Sequence, residues 1–327
     1  MSNAAQAGAG VGARGARRGG LIADYAPTYG ALAALVLLLL LNSIFTTNFF
    51  DFNNFRNILL QVSPTVLVAV GMTLVISTGG IDLSVGSVMA IASAVAATSL
   101  DAGAGVAVLV ALGAATLVGA FNGALISGFR IQPIIVTLAL LISGRGVAQV
   151  LSNGGQLIPF SNASFEYLGN GKIAGVPVQV IVMAAVVGLA IFAMRATPFG
   201  RYIVAVGGNE AAARLAGIRV HRTKITVYAL SGLLAGLAGL IETARLGASD
   251  AQKVGLNIEL DAIAATVVGG TALTGGRATV VGTLIGALIM QVITTGFVMN
   301  GISYAWSLVI KAAIIIIAVY IQRPKMA

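Results

Sequence analysis

The side chains that could do covalent or proton-transfer chemistry in this chain are few, and their placement limits them. There is no cysteine, which removes disulfides, thiolate nucleophiles and Cys-based metal sites. The one histidine, His221, lies in a basic stretch between two apolar runs. It cannot reach a serine such as Ser87 at membrane depth, so no Ser–His dyad can form there, and a lone imidazole makes no His-rich metal site. No GxxxxGK(S/T) phosphate loop is present. The one Gly-Lys pair, Gly171-Lys172, is followed by Ile173 and cannot cradle ATP. Any work done by this chain therefore draws its energy from another polypeptide or from an ion gradient.

The basic stretch Arg195–Lys224 carries the clearest local design. Six of the chain's nineteen Lys and Arg lie in it. Within it, Asn209 is a good N-cap, Glu210 complements the positive start of a helix, and Ala211–Ala213 are strong helix formers. Arg214 stands four residues after Glu210, and Gly217 supplies a left-handed stop. The pattern predicts a two-turn helix held between two apolar runs and placed to touch a soluble partner.

The elements that position this stretch are membrane spans. The chain has 327 residues, of which 58% are hydrophobic and 9% charged, too apolar for the surface of a soluble domain. Apolar runs of about 18 residues or more recur along it. The 42 glycines suit close helix packing in lipid. The fold class predicted is all-α and polytopic. Ten crossings are expected, near 28–45, 58–78, 84–100, 106–129, 133–151, 178–194, 225–246, 258–274, 279–299 and 303–321. Residues 1–25 read as a disordered cytoplasmic tail, and 26–327 as the transmembrane domain. With both termini cytoplasmic, thirteen basic residues fall inside (three in the tail, Arg130, the six of the basic stretch, Arg277, Arg323 and Lys325). Only Arg56, Lys172 and Lys253 fall outside. The net charge of +9 follows from this asymmetry and is no sign of nucleic-acid binding.

Two interruptions resemble one another, Thr78–Gly86 and Val268–Arg277. The pairs Gly79-Gly80, Gly269-Gly270 and Gly275-Gly276 end helices readily, and Asp82 or Ser84 can cap the helix that follows. They are either tight turns between helices or irregular backbone beside a translocation route. Pro64 and Pro133 are expected in first turns.

Two charges lie within spans. Lys311, roughly 12 Å into the last span by helical rise, costs about 2.5–3.5 kcal/mol to insert. It either lines a route or bonds to helix carbonyls. Arg145 has the same two readings, with outward snorkelling open to it. Glu242 and Arg245 are expected to satisfy each other, and Asp250, Glu259 and Asp261 to be solvated. No acidic residue is expected mid-span, which argues against a proton- or sodium-driven carrier. Asn122, Ser143, Gln149, Ser231, Gln291, Thr294 and Asn300 are the polar groups available in or near spans for a neutral solute.

Six stretches occur in order: GMTLVISTGGIDLSVGSVMA (Gly71–Ala90), FNGALIS (Phe121–Ser127), IQPIIVTLA (Ile131–Ala139), FGRYIVAVGGNEAAARLAGI (Phe199–Ile218), KITVYALSGLLAGLAGL (Lys224–Leu240) and ELDAIAATVVGGTALTGGRATVVGTLIGALI (Glu259–Ile289). Together they resemble the permease subunits of bacterial ABC importers for monosaccharides, the ribose/xylose/arabinose/galactoside family, over residues 58–321. The resemblance implies a permease of the inner membrane that dimerises with a second permease copy. It also implies an ABC ATPase subunit that holds ATP-Mg, and a periplasmic sugar-binding protein that could dock on the loop Ser152–Pro177. Gly208, Asn209, Glu210, Ala213, Arg214, Leu215 and Gly217 match the family's coupling segment. No cofactor is implied on this chain. An ion-coupled secondary sugar transporter is the alternative.

Overall fold

The structure, a computed structural model, describes residues 21–321. Of the tail expected over 1–25, residues 1–20 lie outside the described residues, as do Arg323 and Lys325, while 21–25 belong to the first helix and not to a disordered tail. Among the described residues, eight helices are long and apolar enough to cross a membrane. They are α1 (Leu21–Phe45), α2 (Phe52–Ser77), α3 (Val85–Ser99, prolonged by a 3-10 turn to Ala102), α4 (Ala104–Gly128), α5 (Pro133–Leu151), α7 (Val178–Ala196), α10 (Val220–Leu246) and α12 (Val280–Met299). The last apolar helix, α13 (Tyr304–Ile321), is slightly shorter. Four lesser helices complete the set: α6 (Ala163–Asn170), α8 (Pro198–Gly208), α9 (Glu210–Leu215) and α11 (Ile258–Val268).

The helix α10 runs through the middle of the bundle, packed on α4, α2 and α3. Small residues set that packing. A side chain at Gly119 would strike the Tyr228 carbonyl, and one at Gly232 would strike the Ala115 carbonyl, so the two backbones touch. From Val62 to Ser77 α2 is buried almost throughout. By contrast, Leu109, Leu117, Leu189 and Phe192 on α4 and α7 point outward, as the apolar rim of a bundle in lipid must.

Two expectations need correction. Pro64 is no first-turn proline, because α2 begins twelve residues before it, with Asp51 accepting a bond from the Asn53 N–H as its cap. Pro133 does open α5, as expected. The eighth span is not a full helix. α11 has eleven residues, roughly 16 Å by helical rise, and is too short to cross alone. The non-helical, turning segment 269–279 carries the chain on to the end of α2, where the Gly276 N–H donates to the Ser77 carbonyl in the last turn of that helix (3.0 Å). The glycine pairs end α11 early, and close approach keeps it so: at Gly269 a side chain would run into Gly282 of α12.

The loop between α5 and α7 is structured at the opposite end from the basic stretch. Strand β1 (Ile158–Pro159) pairs antiparallel with β4 (Ala248–Ser249), and β2 (Lys172–Ile173) with β3 (Val176–Pro177). Asn162 caps α6 by accepting from the Phe165 N–H, and Glu166 accepts from the Asn162 N–H in return. Phe160 and Phe165 meet edge to face at 5.3 Å.

Candidate functional site: the basic lever and the broken spans

The helix α9 forms where its local signals place it. The Asn209 side chain accepts from the Ala212 N–H (2.9 Å), and Gly217 takes φ +81° just past the helix end. The helix has six residues rather than two full turns. Glu210 holds it in place. Its carboxylate accepts from Lys224 at 2.6 Å and from Arg214 at 3.1 Å. The Lys224 hydrogen bond, with the nearby Lys224 and Arg214 charges, outweighs partial burial and holds the Glu210 carboxyl below the usual range. Arg214 is the i,i+4 partner expected. Lys224 is an addition that local spacing does not show, and it ties α9 to the first turn of α10. Ala213 is buried against Val206 and Val220, so it anchors α9 and offers no surface. Leu215, by contrast, is 90% exposed.

The preceding helix α8, opened by Pro198, was not expected. It fastens the lever to the bundle through glycine backbone. The Cα of Gly207 lies against the Ser77 carbonyl and the Gly276 N–H, and Gly276 in turn packs on Gly208. Gly275 abuts both Gly207 and Gly79. Left-handed φ values at Gly79, Gly270, Gly275 and Gly276 let the chain turn there. The two glycine breaks therefore touch each other and the lever at one point. Gly80 packs under the Tyr228 ring.

Beyond Gly80 the chain turns back into the bundle. Asp82 is 1% exposed. It accepts from the Ser84 N–H (3.0 Å), the Ser84 hydroxyl (2.5 Å) and the Ser231 hydroxyl (2.8 Å). The Asn122 amide donates to Ser84 (2.9 Å). Ser231 lies eleven residues into α10, roughly 16 Å along its axis. Asp82 lies in the break and not in a span, yet its carboxyl sits at that depth, which the expectation of no acidic residue mid-span did not anticipate. Ser84 is the residue before α3, and the Asp82 carboxylate binds the Ser84 N–H two residues on. The first turns of α3 and α11 then face one another: a side chain at Gly86 would meet the Gly255 carbonyl and the Glu259 carboxylate.

The remaining charges also find partners. Arg145 donates to the carbonyls of Ala251 (3.0 Å) and Val254 (2.7 Å), the structural reading rather than snorkelling. Lys311 donates to Asp261 at 3.0 Å and lies 5.9 Å from the Tyr304 ring, so of its two expected readings the bond to helix carbonyls gives way to an ion pair. Asp261 is accordingly not simply solvated, and Glu259 is buried. Asp250 pairs with Lys253 at 3.8 Å. Glu242 and Arg245 do not pair among the described residues. Arg245 donates instead to the Leu60 carbonyl (3.3 Å), although its charge, together with the Gly255 backbone, still acts on the Glu242 carboxyl. Of the other polar candidates, Ser143 bonds to the Ala139 carbonyl and Asn300 to that of Gly296.

A family described as "Branched-chain amino acid transport system / permease component" matches residues 54–319. The chain belongs to this permease family. Among curated relatives, the permease is 45% identical over 300 residues to the ribose import permease protein of Escherichia coli K12, covering 90% of this chain and 93% of the relative. It is 41% identical over 301 residues to the ribose import permease protein of Bacillus subtilis 168, covering 91% and 93%. It is 40% identical over 304 residues to a galactofuranose transporter permease of Escherichia coli K12, covering 90% and 89%. No solved structure matches. As a permease component, the chain is a multi-pass protein of the inner membrane and not an enzyme.

Proposed function

We propose that the permease carries a neutral monosaccharide, a ribose-like pentose or hexose, and is worked by a separate ATPase subunit that binds ATP-Mg and grips α9. The observation that carries this reading is the build of the lever. Leu215 projects freely while Ala213, Glu210 and Lys224 fix the helix beneath it, and Gly207 ties α8 to both broken spans. A push on α9 thus reaches the interior as a movement of rigid pieces. The relatives that match over nearly the whole chain are named for ribose, galactofuranose and fructose import, which supports the substrate class. In this reading the basic end faces the cytosol and both termini lie there, as the thirteen-to-three asymmetry of basic residues favours. A periplasmic sugar-binding protein docks at the opposite end, where Leu157, Tyr167 and Ile173 are exposed. A second copy of the permease completes the gate.

An ion-driven carrier would need a carboxyl free to exchange protons or bind an ion. Asp82 lies at a suitable depth, but both its oxygens are held by internal donors. Replacing Leu215 by Asp should weaken ATPase binding by about tenfold or more, as the loss of an exposed apolar anchor does. Co-purification of the two subunits reads this directly. Undiminished binding would remove α9 from the interface.

A further inference from the structure

A polar cavity of about 510 Å³ opens between α2, α10, α11, α12 and α13, at the end away from the lever. Gln61 and Arg245 enter it from α2 and α10, Asp261 from α11, Gln291 from α12, and Tyr304 and Lys311 from α13. Its size falls in the range that holds a small molecule. The Gln291 amide donates to the Gln61 carbonyl oxygen at 2.8 Å, and Lys311 pairs with Asp261. Gln61 is exposed on α2, nine residues past its start. An amide at that depth cannot face lipid tails and must line water or protein.

The chemistry of the lining selects among solutes. Lys311 is paired with Asp261 and Arg245 is turned onto the Leu60 carbonyl, so one positive charge is left in excess and the remaining lining is neutral and polar. It offers planar donor–acceptor groups of the kind that engage neighbouring hydroxyls two at a time, and the Tyr304 ring gives a flat face for the C–H surface of a sugar ring. Asp261 stands on α11, the half-length helix whose continuation, 269–279, is fastened to α8 at Gly207. The cavity wall and the lever are thus parts of one connected stretch of backbone.

We propose that this cavity is where the solute first contacts the permease, and that it accepts a neutral polyhydroxy ring through Gln61, Gln291 and the Lys311–Asp261 pair. The inference rests on the monosaccharide reading above. The chain has no cysteine, so Thr294→Cys, on the cavity wall, introduces a sole thiol. In vesicles holding the full complex, a membrane-impermeant thiol reagent should label it, and D-ribose with the binding protein should slow labelling severalfold. Gln291→Ala should lower ribose uptake per ATP hydrolysed about tenfold. A thiol reached only after detergent is added would overturn the proposal. So would labelling indifferent to ribose in a preparation that takes ribose up. If the wild-type complex takes up no ribose, the substrate reading fails, and access of the impermeant reagent alone decides the cavity.

Discussion

Alanine at Gly207 is expected to uncouple the permease, so that the ATPase subunit still binds and hydrolyses ATP while solute uptake falls to near background. The added methyl would sit where the Ser77 carbonyl and the Gly276 N–H now lie. Neither is a side chain that can rotate away, so α8 must shift or the two breaks must part. Overpacking of this kind costs about 1–3 kcal/mol, borne at the one point where lever and spans meet. Gly188→Ala on α7 is the comparison, because it lies outside the lever and nothing lies near the position its methyl would take. It should retain most uptake. Similar behaviour of the two variants in paired uptake and ATP-hydrolysis measurements would remove the glycine contact from the coupling route.

Replacing Asp82 by alanine should be the most damaging change to folding in the membrane domain. It strands the Ser84 N–H, which has no other acceptor in the structure, at about 1–3 kcal/mol for an unsatisfied buried donor. The Ser84 and Ser231 hydroxyls also lose their acceptor, although hydroxyls can rotate toward helix carbonyls. The start of α3 would loosen, and with it the contact of Gly86 with Gly255 and Glu259. Ser231→Ala removes one donor and leaves the carboxylate two others, so it should be mild. Thermal unfolding in detergent, followed for both variants, reads the difference; equal stabilities would mean that Asp82 does not hold the break.

What could be read from the residues follows the range of the forces involved. The lever was legible because N-cap, charge pair and glycine stop all act within nine residues, Asn209 to Gly217. The glycine breaks were legible as breaks, but not their depth. Thr78–Gly86 has the composition of a surface turn, and only Ser231, 149 positions away in sequence, shows that Asp82 is inside. The partner of Lys311 was hidden for the same reason, since Asp261 is 50 positions distant. Glu242 and Arg245 had favourable helical spacing, yet the Leu60 carbonyl of α2 draws the Arg245 guanidinium away from a direct pair. The eighth span misled in another way. Its apolar residues extend past Gly269 and Gly270, where close packing on Gly282 ends the helix.

Purified permease sealed in vesicles, with or without the ATPase subunit and internal ATP, decides whether this chain is a passive gate. Labelled ribose and the binding protein are supplied on the face opposite the lever. Vesicles with the ATPase and ATP should accumulate ribose above its external concentration, and vesicles with the permease alone should not. Accumulation by the permease alone under a proton or sodium gradient would contradict the reading.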